Sequence, residues 1–71
     1  MKHMKEIVDN RVHESRMKME ITQEALAEAV SVSRQTIIAI EKGNYVPSVF
    51  LALKIAKFFK TSVEELFHLS K

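Results

Sequence analysis

Thr22-Gln23-Glu24-Ala25-Leu26-Ala27-Glu28-Ala29-Val30-Ser31-Val32-Ser33-Arg34-Gln35-Thr36-Ile37-Ile38-Ala39-Ile40-Glu41-Lys42-Gly43 is the stretch whose reading decides the fold. It holds two helices, each preceded by a hydroxyl side chain that can accept a hydrogen bond from a free N–H of the first turn. Thr22 precedes Gln23 to Val30, where Leu26, Ala27 and Val30 fall at helical spacing. Ser33 precedes Arg34 to Lys42, with Ile37 and Ile40 three apart, and Gly43 stands where a helix ends in a left-handed residue. The connection between the two is so short that they must meet through a tight turn, as a helix-turn-helix.

The same capping logic extends outward in both directions. Asp9 or Asn10 can cap a first helix that runs to about Met19, with apolar positions at Val12 and Met17. The one Gly and the one Pro of the chain fall together between Gly43 and Pro47. Ser48 then starts a long apolar helix to about Lys60, and Ser62 with Glu65 forms a capping box for a short last helix. The spacing therefore predicts an all-α domain of five short helices with brief connections. At the ends, Lys5 to Val8 and Phe67 to Ser70 are each too short to stand alone. They either pair as a small two-stranded antiparallel sheet or remain two frayed tails.

Seventy-one residues make one domain, 1–71. A chain of this size buries only about 60% of its unfolded surface, so its core is marginal unless something adds to it. Without cysteine, neither a disulfide framework nor a thiolate metal site can do so. Tight helix packing and self-association remain, and a hydrophobic share of 46% is high enough to serve both. Eleven Lys and Arg against nine Asp and Glu give a net charge of +2, too even for a uniformly basic nucleic-acid binder, so only local clustering counts. There is no long apolar run for a membrane span and no secretory signal pattern, which makes the cytoplasm the default location. Met4 offers an alternative start, so His3 carries no functional argument.

Enzyme chemistry finds no footing. His13 and His68 share no ligand spacing with each other or with Asp and Glu, so no metal site is expected. Glu64 and Glu65 are adjacent on a helix and point to different faces. No Gly-rich phosphate loop is present and no cofactor is implied. Met17 and Met19 read as packing residues.

The outward positions at the start of the second motif helix are Arg34, Gln35 and Thr36. Arg pairs bidentately with guanine, Gln with adenine, and Thr offers a hydroxyl and a methyl group. They sit at the end of a helix that enters the major groove first, where free N–H groups favour phosphate. A solvated polar first turn would carry similar residues, and many αα-hairpins never meet DNA.

Residues 22–30, then Val32-Ser33-Arg34-Gln35-Thr36-Ile37 and Ile40-Glu41-Lys42-Gly43, followed by Pro47-Ser48, Leu53-Lys54-Ile55-Ala56-Lys57 and Glu64-Glu65-Leu66-Phe67, resemble the Cro and phage-repressor (XRE-type) helix-turn-helix family. The resemblance covers roughly residues 10 to 67. It implies a lambda-repressor-like five-helix DNA-binding domain and, from its length and its two terminal extensions, likeness to the compact dimeric repressors of that family. It also implies roles. Gln23 matches a position that clamps a phosphate and supports a neighbouring base-reading Gln. Ser33, Arg34, Gln35 and Thr36 match base-reading or groove-lining positions. Lys42, Asn44 and Tyr45 match the segment that lies along the backbone. Arg16 and Glu41 match a partly buried ion pair that orients the recognition helix, and Arg16 is also a candidate phosphate contact. Two departures stand out. Ser31 occupies a turn position usually held by Gly, where a positive φ costs on the order of 1 kcal/mol. Ile38 and Ala39 lie where relatives often carry polar base contacts, leaving Ile38 to pack on a thymine methyl or to remain an exposed apolar residue.

The long helix carries more apolar surface than one core needs. Val49, Ala52, Ile55, Ala56 and Phe59 make one stripe, and Phe50, Leu51, Leu53 and Phe58 nearly complete the circle. The surplus, with Val63, Leu66, Phe67 and Leu69, is read as the interface of a homodimer; a single larger core is the other reading. The expectation is a homodimeric transcriptional regulator, in this family most often a repressor, binding double-stranded DNA at an inverted repeat. Its rivals are an antitoxin that represses its own operon while binding a toxin, and a protein-interaction module that does not bind DNA.

Overall fold

Hydroxyl caps start four of the five helices among the described residues. Thr22, Ser33, Ser48 and Ser62 each accept a hydrogen bond from the backbone N–H three residues on, at 3.0–3.2 Å. The computed structural model describes residues 7–70, in the order β1 (Ile7–Asn10), α1 (Val12–Met19), α2 (Gln23–Ala29), α3 (Arg34–Lys42), α4 (Val49–Phe58), α5 (Val63–Leu66) and β2 (Phe67–Ser70). Asn10, and not Asp9, supports the start of α1: its Oδ1 accepts from Val12 N–H at 3.0 Å although Arg11 holds the cap position. Only half of the expected capping box forms at α5, because the Glu65 carboxylate accepts from the Thr61 hydroxyl at 3.0 Å.

The helix ends share a second device. Glu20, Ser31, Gly43 and Lys60 all adopt positive φ, between 57° and 81°. After each, the next residue's N–H reaches back five positions, as Ile21 to Arg16, Val32 to Ala27, Asn44 to Ala39 and Thr61 to Ala56. This closes orphan carbonyls in the manner of a Schellman ending. Ser31 has a φ of 64°, so it keeps the left-handed turn that Gly would adopt without strain.

Val12, Leu26, Ala27, Val30, Ile37, Ile40, Leu51, Ile55, Ala56 and Leu66 form one buried cluster. The stripe of α4 is displaced from the expected one. Leu51, assigned to a dimer interface, is 7% exposed and belongs to this core, whereas Val49 is 75% exposed. Val49 is the first residue of the helix and lies at its rim, while Leu51 stacks one turn before Ile55 on the inward face. Met17 and Met19 are also exposed, not packed.

β1 and β2 pair antiparallel, with Ile7 opposite Ser70, Val8 opposite Leu69, Asp9 opposite His68 and Asn10 opposite Phe67. The first strand runs two residues further along the chain than expected, because pairing continues to Asn10 and Arg11 N–H then donates to Leu66 C=O at 2.9 Å. His3 and the Lys5-Glu6 part of the expected strand lie outside the described residues. Among the described residues no helix is long and apolar enough to cross a membrane.

Candidate nucleic-acid interface

α3 is held by one face and exposed on the other. Ile37 and Ile40 are fully buried, which fixes the helix against the core. One turn earlier, Arg34 and Gln35 project into solvent and Thr36 is half-buried. Ser33 is exposed, but its Oγ caps the helix and lies 3.0 Å from Thr36 Oγ1, so both hydroxyls are engaged locally. Ile38 is half-buried, and Lys42, Asn44 and Tyr45 are exposed around the end of the helix.

A polar network joins α1 and the start of α2 to the end of α3. Arg16 is 8% exposed; its Nε donates to Glu41 Oε2 at 2.8 Å and its Nη2 to Oε1 at 3.2 Å. Arg16 Nη1 donates to the Ile21 carbonyl at 3.0 Å, which ties the start of the motif to the same guanidinium. These bonds direct the guanidinium inward, and Arg16 is buried. The hydrogen bond from Arg16 to Glu41 holds the guanidinium above its ordinary pKa. Burial pushes the Glu41 carboxyl up, but hydrogen bonds with Arg16, Gln23 and His13 outweigh it and leave the group below its ordinary value.

Gln23 joins this network, its Nε2 donating to Glu41 Oε1 at 3.1 Å. Arg16, Thr22, Gln23, Glu24 and Arg34 line a shallow depression between the starts of α2 and α3. Two participants escape the sequence reading. Asn10 donates from Nδ2 to the Ile40 carbonyl at 2.9 Å, anchoring the far end of α3 to the strand that enters α1. His13 Nδ1 lies 3.0 Å from Arg16 Nη2 and 3.2 Å from Glu41 Oε1. The three-residue spacing of His13 and Arg16 puts both on one face of α1 and was the available signal.

On α4, Phe50 and Leu53 are 72% and 55% exposed, and Leu69 on β2 is exposed as well. Phe58, Val63 and Phe67 are half-buried against the core. Val49, Leu53 and Val63 line one open groove, and Val8, Val46 and Phe67 continue it around Val49. The exposed apolar surface therefore includes Val46 and Val49, which the sequence reading left out, and excludes Leu51.

A tight pair of capped helices on a core of five helices among the described residues, the second presenting an exposed polar first turn, defines a helix-turn-helix domain. The helix-turn-helix family model matches residues 12–66, and the chain belongs to this family, the Cro and phage-repressor-like (XRE) transcriptional regulators. Over 62 residues it is 52% identical to YgzD, an uncharacterized HTH-type transcriptional regulator of Bacillus subtilis, covering 87% of this chain and 94% of that one. An uncharacterized HTH-type regulator of Methanocaldococcus jannaschii is 64% identical over 47 residues, 66% of this chain and 71% of its own. Among solved structures, the restriction-modification controller protein C.AhdI of Aeromonas hydrophila superposes with a TM-score of 0.74 at 30% identity, over 80% of this chain and 86% of that one.

Proposed function

We propose that the protein is a homodimeric transcriptional repressor that reads an inverted-repeat operator with α3. The observation that carries the reading is the exposure of Arg34 and Gln35 on the first turn of a helix whose other face is locked into the core by Ile37 and Ile40. Arg34 and Gln35 read base edges, Thr36 and Ile38 line the groove, and Gln23, Lys42, Asn44 and Tyr45 face the phosphate backbone. Ser33 serves them by capping α3. Arg16 and Glu41 set the angle of the helix. The exposed Val46, Val49, Phe50, Leu53 and Leu69 supply apolar surface for a second copy. Two recognition helices about 34 Å apart would then enter successive major grooves on one side of the duplex and occlude promoter DNA.

The test is competition binding with operator DNA. Gln35→Ala lowers specific affinity by about 1–3 kcal/mol and relaxes base choice. An unchanged preferred sequence at unchanged affinity would remove Gln35 from the reading set. For the dimer, sedimentation showing a monomer at micromolar concentration, with and without DNA, would contradict the assembly.

A further inference from the structure

A helix that ends at Lys42 leaves its last carbonyls without the N–H groups of a following turn. Gly43 N–H serves Ile40 C=O at 3.0 Å, and Asn44 N–H serves Ala39 C=O at 2.9 Å. Ile40 C=O takes a second donor from far along the chain, Asn10 Nδ2 at 2.9 Å. The oxygen of that carboxamide accepts from Val12 N–H at 3.0 Å, at the start of α1. Together the two bonds fix the orientation of the amide. A flipped group would set Nδ2 against Val12 N–H and Oδ1 against the Ile40 carbonyl. The Asn10 backbone is held as well: it lies opposite Phe67 in the sheet, and the next N–H, from Arg11, donates to Leu66 C=O at 2.9 Å.

We propose that Asn10 is a positioning residue for base recognition, passing the fixed geometry of the terminal sheet to α3 through the Ile40 carbonyl. The proposal rests on the reading of α3 as the helix that reads DNA. Arg34 lies six residues before Ile40, about 9 Å along the axis at 1.5 Å per residue. On a lever of that length, a tilt of about 3° displaces the first turn by about 0.5 Å, the tolerance of a preorganised site. Arg16 holds the same end of α3 through the Glu41 side chain, whose torsions lie between the bond and the helix. Asn10 grips the backbone itself, so α3 cannot tilt at that end without straining the bond.

The contribution is one of position more than cohesion. Without Nδ2, Ile40 C=O keeps the Gly43 N–H and is not orphaned, so the fold stands to lose little. The aim of Arg34 and Gln35 stands to lose more.

The experiment uses the full chain and three variants. Asn10→Asp and Asn10→Ser each keep an oxygen that can serve Val12 N–H and lose the carboxamide donor. The first adds a negative charge and the second does not. Ile55→Val trims a buried side chain on α4 and is the control for lost stability alone. Affinity is measured for a duplex selected from random DNA and for an unrelated duplex, at a temperature where every variant is folded. In both Asn10 variants the ratio of the two affinities is expected to fall about five- to a hundredfold, the range of one misplaced base-reading pair. Ile55→Val is expected to keep the wild-type ratio. A ratio unchanged in Asn10→Ser, or lowered as much in Ile55→Val, overturns the positioning role.

Hydrogen exchange followed by NMR in the absence of DNA reports on the anchor itself. Gly43 and Asn44 N–H are expected to exchange faster in both Asn10 variants than in Ile55→Val. Exchange no faster than in that control overturns the anchoring, whatever the DNA result. A wild type that prefers no duplex overturns the reading of α3, and the positioning role with it, while the exchange measurement still reports the anchor separately.

Discussion

The first turn of α3 and the outer face of α4 are both exposed, yet they are built by opposite means. Around α3, a hydroxyl cap, a buried ion pair and the Asn10 bond to the Ile40 carbonyl fix the backbone, so Arg34 and Gln35 project from a rigid base. On α4, no side-chain hydrogen bond among the described residues specifies the outer face. Val49, Phe50 and Leu53 lie open, and one ordered feature is Lys54 Nζ, 5.2 Å from the centroid of the Phe50 ring. Polar recognition needs side chains placed to within a few tenths of an ångström, and the network behind α3 supplies that placement. Apolar association needs area and shape, and an unpatterned surplus is enough for it.

The largest expected effect comes from removing the support of the polar region. Glu41→Ala leaves the Arg16 guanidinium buried without its carboxylate, and denaturant unfolding should show a loss of about 3–5 kcal/mol. Phe50→Ala, by the same measurement at concentrations where the chain is monomeric, should change stability by less than about 0.5 kcal/mol, since exposed positions contribute little. Equal losses in the two variants would erase the contrast. The acid side gives a related test. Because the folded carboxyl of Glu41 is held below its ordinary value, its contribution is present above the ordinary carboxylate range and is lost as pH falls through the lowered value. Glu41→Gln should therefore flatten the acid limb of the stability curve.

A smaller effect separates reading from folding. Arg34→Ala should cost about 1–3 kcal/mol of specific binding, measured by titration against the selected site, with the thermal midpoint unchanged. Leu53→Asp should do the reverse, weakening self-association by at least about 1.4 kcal/mol, a tenfold change seen in sedimentation, while leaving the isolated fold intact. If Leu53→Asp left the sedimentation profile unaltered, α4 would not be the assembly surface. Ser31→Gly is expected to give a small gain of up to about 1 kcal/mol from relieving the positive φ, with base choice unaltered.

The helix starts were readable in the sequence because a cap is a local chemical requirement: Thr22, Ser33, Ser48 and Ser62 each need only their own first turn. The helix ends were not. Four of them close through a left-handed residue; Gly43 advertises it by its type and Ser31 through the family resemblance, but nothing in the types of Glu20 and Lys60 does. Membership of the core at α4 failed for a similar reason. A nearly all-round apolar helix does not say which side faces in, so Leu51 and Val49 exchanged places. At the candidate site, the placement of Arg34 and Gln35 followed from helical spacing and their pairing chemistry. Asn10 and His13 act across the fold, 30 and 28 residues from their partners on α3, where one-dimensional periodicity carries no information.

Selection of bound sequences from random duplex DNA by the full chain tests the central claim most directly. The account predicts enrichment of an inverted repeat whose half-sites lie about one helical turn apart, centre to centre, with the preference at the positions facing α3 lost in Gln35→Ala. Recovery of no enriched sequence, or of a single asymmetric half-site bound equally well by Gln35→Ala, would contradict it.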